Sequence, residues 1–104
     1  MSQAFLLRKA LTDSEAPLLS AETSSYMFRS IYISNSHNAA LTVFLAITSG
    51  KSFASIGDWI VYDVQISSNQ YLYLENILVP AGHQLRGYSN HDMLSSLVAS
   101  GVMD

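Results

Sequence analysis

The residues of this chain that could do chemistry are few, and their spacing limits what they can do. Ser49-Gly50-Lys51-Ser52 has the form of the end of a phosphate-binding loop. The full motif needs a glycine five positions before Gly50, between a strand and a helix, so that backbone amides converge on the phosphates. Leu45 holds that position inside an alternating apolar run, which predicts a hairpin loop and no nucleotide site. His37, His83 and His91 each sit beside Asn, Ser or Gly, and only His91 has a neighbouring carboxylate, Asp92. Metal ligands on strands need alternating spacing or facing strands, which these three positions do not show. They read as polar turn residues near the rim of a fold. The chain has 17 serines, so a serine near a histidine carries no information, and neither Gly50 nor Gly57 frames a serine as a nucleophile elbow requires. Asp58, Asp63 and Glu75 are the carboxylates on predicted strands, and nothing in their spacing makes them a glycosidase pair. The absence of cysteine excludes disulfides, thiolate catalysis and cysteine-ligated zinc. These residues predict no enzyme, no metal and no cofactor.

The elements that would position them belong to one small domain. A chain of 104 residues supports a single core without staples. Charged residues make up 12% of it, about half of the usual quarter, while 49% is hydrophobic. Such a surface suits a protein packed against neighbours. The five cations, Arg8, Lys9, Arg29, Lys51 and Arg86, are scattered and form no stripe, which argues against nucleic acid as a partner. No run approaches the roughly 20 apolar residues that span a bilayer. The apolar run near the N-terminus precedes Arg8-Lys9, the reverse of a leader peptide. The expectation is no membrane, and a whole chain used in the cytoplasm or in something assembled there.

Strand signals dominate. Met27–Asn35 alternates, with Met27, Arg29, Ile31 and Ile33 on one face and Phe28, Ser30, Tyr32 and Ser34 on the other. A polar turn, Ser36 to Ala39, leads to a second alternating run, Leu41–Ile47, and the pair reads as a hairpin. After the loop Thr48–Gly57, strands are predicted at Asp58–Ile66, with Ile60, Tyr62, Val64 and Ile66 sharing a face, and at Gln70–Val79. Pro80-Ala81-Gly82 makes a tight turn before short strands at Gln84–Tyr88 and Leu94–Val102. Phe5–Leu11 is a further strand or an arm, and Pro17 marks an irregular connection. The prediction is all-β: a single antiparallel sandwich, jelly-roll or Ig-like, of about seven or eight short strands. Residues 1–23 form an N-terminal arm or edge strand, and residues 24–104 the sandwich.

A sheet in a sandwich has one core face, so one stripe of each strand points outward. Aliphatic stripes fill the core most naturally. That leaves Tyr26, Phe28, Tyr32, Phe44, Tyr71 and Tyr73 on the outside, where Tyr and Phe favour protein interfaces. Phe5, Leu6 and Leu7 join them as the part of the arm that reaches a neighbour.

The order of features resembles small β-sandwich virion proteins of tailed bacteriophages, used as capsid-decorating or tail-associated parts. The resemblance covers roughly residues 24–103 and rests on four pieces in order. These are Ser30-Ile31-Tyr32-Ile33-Ser34-Asn35, then Ala40 to Leu45, then Ile77-Leu78-Val79-Pro80-Ala81-Gly82-His83-Gln84-Leu85, and last Ser100-Gly101-Val102. The chain departs from the pattern in its Met103-Asp104 terminus and its more aromatic outer face. The resemblance implies a non-enzymatic structural protein, located in the virion and assembled in the host cytoplasm. It also implies a homo-oligomer, often a trimer, bound to the major capsid protein or other virion proteins as decoration or cement. A neck, tail or fibre component is the alternative within that class, and a carbohydrate-binding module the alternative outside it.

Overall fold

The computed structural model describes residues 2–50 and 52–104; Met1 and Lys51, the lysine of the loop motif, lie outside the described residues. Among the described residues there is no helix. Eight strands run in order: β1 (Gln3–Leu11), β2 (Ala16–Ala21), β3 (Tyr26–Asn35), β4 (Leu41–Ser49), β5 (Trp59–Ile66), β6 (Tyr71–Val79), β7 (His83–Ser89) and β8 (Ser95–Met103). They form two four-stranded antiparallel sheets, ordered β1-β8-β3-β6 and β2-β7-β4-β5. This is the eight-stranded double-sheet order of a jelly roll, which decides between the two sandwich types that alternation left open. Ser49-Gly50 ends β4, and β5 follows the loop in place of a nucleotide fold's helix.

The core lies between the sheets and is aliphatic apart from Phe28. Ile31, Ile33, Leu97 and Leu11 meet Leu41, Val43, Leu45, Leu85, Val61 and Ile66. Fully burying each such side chain contributes roughly 1.5–3 kcal/mol. Asn35, at the end of β3, is buried with every polar atom used. Its Nδ2 donates to the carbonyls of Ala39 (2.9 Å) and Ile66 (3.0 Å), and its Oδ1 accepts from the His37 amide (2.7 Å). One amide side chain thus shapes the β3–β4 turn and pins it to β5.

Four departures from simple alternation set which side chains face out. On β3, Phe28 pairs with Gly101 and Ser30 with Ser100, so Arg29 is an extra residue, a β-bulge. Beyond it the strand changes phase, and Phe28 and Ile31 both face the core. The expectation that Phe28 shares an outward face with Tyr32 is therefore corrected: Phe28 is 0% exposed. On the neighbouring β6, Asn76 takes a positive φ of 59° opposite the bulge, and the inward residues switch from Leu72 and Leu74 to Ile77 and Val79. On β5, Val43 pairs with Val64, Leu45 with Val61 and Ala46 with Trp59, which inserts two extra residues. Val61 is buried there, whereas Ile60 and Tyr62, predicted to share a face with Val64 and Ile66, are exposed while Ile66 is buried. The segment around Pro17, predicted as an irregular connection, is β2, an edge strand with a register shift between Pro17 and Leu19. An edge tolerates the missing N–H of proline. β1 pairs with β8 along its whole length, from Gln3 opposite Met103 to Leu11 opposite Ser95.

Candidate interaction surfaces

Register places sixteen side chains of the first sheet on its outer face, in four rows. Ala4, Val102, Met27 and Leu78 make the first row, and Leu6, Ser100, Ser30 and Glu75 the second. Arg8, Val98, Tyr32 and Tyr73 make the third, and Ala10, Ser96, Ser34 and Tyr71 the fourth. Leu6, Tyr32, Tyr71, Tyr73, Leu78 and Val98 are all exposed large apolar groups. The tyrosines touch one another: Tyr32 lies 4.8 Å from Tyr73 and 5.6 Å from Tyr71, ring centre to ring centre. The hydroxyls of Ser30 and Ser100 hydrogen-bond across the strands (3.1 Å), and the Tyr73 hydroxyl donates to Glu75 Oε2 (3.2 Å). Six large apolar groups exposed together on one sheet face differ from the singly scattered ones that are ordinary on a protein surface.

The second sheet carries a different surface. Phe44 and Tyr88 stack face to face, 4.3 Å apart and 4° from parallel. Tyr62 and Trp59 close on Phe44 edge-on at 5.3 and 6.0 Å. The β4–β5 loop folds over the rest of this face. Ala54 N–H donates to Glu15 Oε2 (2.8 Å), which also accepts from Arg86 Nε (2.8 Å). Arg86 and Glu15 side chains are only 6% and 12% exposed. Arg86 Nη1 donates onward to Gln84 Oε1, Gln84 Nε2 donates to Ser20 Oγ, and the Phe53 ring lies 4.9 Å from the guanidinium carbon. A tight turn then presents Ile56, 98% exposed: Asp58 Oδ2 accepts from the Ser55 amide and hydroxyl, and Asp58 N–H donates to the Ser55 carbonyl. Beside it opens a groove of about 340 Å³ lined by Ala54, Ser55, Ile56, Trp59 and Tyr62.

Of the residues expected to form an interface, Leu6, Tyr32, Tyr71 and Tyr73 share the first sheet's outer face. Phe44 is half-buried at the centre of the second sheet's aromatic group. Phe5, Leu7 and Tyr26 are half-buried against the core, with Phe5 edge-on to Tyr26 (5.1 Å) and Phe28 (5.0 Å). Trp59, Tyr62, Tyr88, Leu78 and Val98 escaped the sequence reading. Trp59 and Tyr62 are three apart, a spacing that ordinary alternation assigns to opposite faces. His37 and His91 come together, ring centres 4.6 Å apart, while His83 lies elsewhere with Nδ1 near the Ala81 carbonyl. Among the described residues no three or more metal-ligating side chains gather.

Burial raises the Tyr88 phenol above its ordinary pKa of 10.0, and the negative charge of Tyr62, Glu15 and Asp63 around it adds to the shift. Tyr73 is raised too, by the desolvation its exposed ring still feels against its neighbours and then by its hydrogen bond to Glu75. In each case the unfolded chain loses its proton at lower pH than the folded one. This contribution to stability is complete below about pH 10 and is lost as pH rises through the folded values. Tyr88→Phe should flatten the alkaline limb of a melting-temperature profile above pH 10, and an unchanged limb would contradict the assignment.

The fold and its surfaces define a jelly-roll domain with two apolar outer faces, one flat and one grooved. No family model and no curated protein matches the chain. Among solved structures, the chain is similar to one in the crystal structure of the T13 infectious bursal disease virus particle. That match has a TM-score of 0.57 and 11% identity over 98% of this chain and 30% of that one. A chain in the structure of the Gx strain of the same virus matches with a TM-score of 0.55 and 12% identity, over 99% of this chain and 32% of that one. The chain thus spans about a third of the length of the virus chains it matches. The likeness is one of fold.

Proposed function

We propose that this chain is a non-enzymatic structural protein of a virion, a capsid decoration or cement protein that binds its lattice as a homo-oligomer. The observation that carries the reading is the outer face of the first sheet, where six exposed apolar side chains stand among serines with Arg8, Arg29 and Glu75 as the charged groups. The fold shared with chains of an icosahedral virus particle supports it, as does the ordered resemblance to tailed-phage virion proteins. Many copies, each with a modest contact, hold a shell together because linked weak joints act at high effective concentration.

The Tyr71→Ser/Tyr73→Ser double variant should melt within a few degrees of the parent and fail to pellet with particles. Both rings are outside the core, and surface changes of this kind cost little stability. A folded double variant that still pellets fully would overturn the reading. Copy number in purified virions separates decoration (hundreds) from a neck, tail or fibre role (a dozen or fewer), by the arithmetic of shell against tail symmetry. The groove beside Trp59 and Tyr62 favours a second reading, a carbohydrate-binding module. Saturable binding on a glycan array, lost in Trp59→Ala, would support it.

A further inference from the structure

We infer that His37 and His91 together form a two-imidazole site for a divalent transition-metal ion at one rim of the sandwich. His37 lies in the turn after β3 and His91 in the turn after β7. Their rings stand 4.6 Å apart, centre to centre, with their planes tilted by 44°. Both residues are half-buried. Spacing along the chain pairs no histidines. These two meet because each turn carries the chain from one sheet to the other, and the two crossings lie side by side. Neutral imidazole is the commonest protein ligand for such ions.

Hydrogen bonds hold the pair in place before any ion arrives. The two turns are fastened to each other on both sides of the histidines. Ser36 donates from its N–H (3.0 Å) and its Oγ (3.1 Å) to the Leu94 carbonyl. Thr42 N–H donates to Asn90 Oδ1 (2.9 Å), and Asn90 N–H donates to the Thr42 carbonyl (3.1 Å). Within that frame each histidine is anchored by its backbone. His37 N–H donates to Oδ1 of the buried Asn35 (2.7 Å), and its carbonyl accepts from Ser68 Oγ (2.8 Å). Ser89 Oγ donates to the His91 carbonyl and accepts from the His91 N–H. These bonds use main-chain atoms of the histidines, which leaves the ring nitrogens to a ligand. An ion binding here orders two side chains and no loop, so the entropic cost of binding is low.

The ring separation fits cis ligands on one ion. Metal–nitrogen bonds of about 2.0–2.1 Å put an ion roughly 3.2 Å from each ring centre. Two rings at a right angle about the ion then have centres about 4.5 Å apart, and at the tetrahedral angle about 5.2 Å. The observed 4.6 Å matches the right angle, the arrangement that Ni²⁺ and Cu²⁺ prefer. No third metal-ligating side chain joins the pair among the described residues, so water fills the other positions and the site stays open to a further ligand. The rim is apart from the outer face of the first sheet, and the ion is tested on the isolated protein. Loss of the metal site and loss of the virion reading are therefore separate results.

The test is titration calorimetry of the full chain with Ni²⁺ alone. One ion should bind per chain. His37→Ala and His91→Ala should each weaken it at least about tenfold, because the second imidazole acts at high effective concentration only while the first is present. His83→Ala, at a histidine set apart from the pair, should stay within about twofold of the parent. In the proton spectrum, substoichiometric Ni²⁺ should broaden the imidazole signals of His37 and His91 together and leave those of His83 sharp. Free Ni²⁺ at tenfold its dissociation constant should raise the melting temperature by about 5–10 °C. Circular dichroism confirms that each variant folds, and His37→Gln or His91→Gln replaces an alanine variant that does not. No binding at about 1 mM Ni²⁺, well below the effective concentrations of preorganised ligands, would overturn the inference. So would a loss confined to one of the two variants, or broadening of His83 first.

Discussion

Gly101→Ala is expected to lower the melting temperature by about 10–20 °C, the equivalent of about 3 kcal/mol for a domain of this size. Gly101 lies on β8 between Phe5 of β1 and Phe28 of β3. The rings of those two residues meet edge-on at 5.0 Å, filling the space that a residue without a side chain leaves free. The Arg29 bulge brings the β3 backbone against Gly101, so that a Cβ there would run into the carbonyl oxygen and carbon of Met27 and the amide of Arg29. These are backbone atoms in the middle of a sheet. They cannot rotate aside, and relief requires β8 to move from β3 or the bulge to open. Gly57→Ala is the control: a Cβ at Gly57 meets nothing within 4 Å, and the change should leave the melting temperature within about 2 °C. A Gly101→Ala protein that melts with the control would mean that the bulge is misplaced. The same crowding gives a physical reason for glycine in the Ser100-Gly101-Val102 ending.

The second large effect is at the buried ion pair. Glu15→Ala should cost about 3–5 kcal/mol, because it leaves the Arg86 guanidinium buried with no counter-charge. The guanidinium keeps its hydrogen bond to Gln84 and its contact with Phe53, neither of which supplies a negative charge. The Ala54 amide loses its acceptor as well, which unties the β4–β5 loop from the sheet. Denaturant melts would read the stability change. Limited chymotrypsin digestion would read the loop, with faster cleavage after the exposed Phe53. Adding Arg86→Met to Glu15→Ala should recover roughly 2 kcal/mol, since an apolar side chain of similar length removes the uncompensated charge. Recovery of stability without recovery of loop protection would separate the two roles of Glu15: countering Arg86, and holding the loop. A Glu15→Ala protein as stable as the parent would show that the pair carries no net stability.

The strands themselves were legible. Alternation in Leu41–Ile47 matches β4 because no extra residue interrupts its pairing with β7. Tyr32, Tyr71 and Tyr73 were correctly placed outward, since each lies on the uninterrupted part of its strand. The errors fall where a single residue is added. Phe28 was assigned to the wrong face because of the bulge at Arg29, and the grouping of Ile60 and Tyr62 with Val64 and Ile66 fails at the two insertions in β5. The phase change in β6, from Leu72 and Leu74 to Ile77 and Val79, was a visible signal: the apolar spacing lengthens from two to three across Glu75-Asn76. The Glu15–Arg86 pair was not legible, because 71 positions separate two residues that only the β2–β7 pairing brings together.

Composition and period-two patterning by themselves determined that this chain builds an all-β sandwich with polar turns and few charges to spare for its surface. Those features act between neighbours a few residues apart, so a linear reading can weigh them. Tertiary structure alone decided the jelly-roll order, the rows of the first sheet's outer face and the meeting of Glu15 with Arg86. A one-residue bulge moves every later side chain to the other face of its sheet. Whether the extra residue is accommodated depends on a partner strand far away in the chain, as Gly101 does for Arg29.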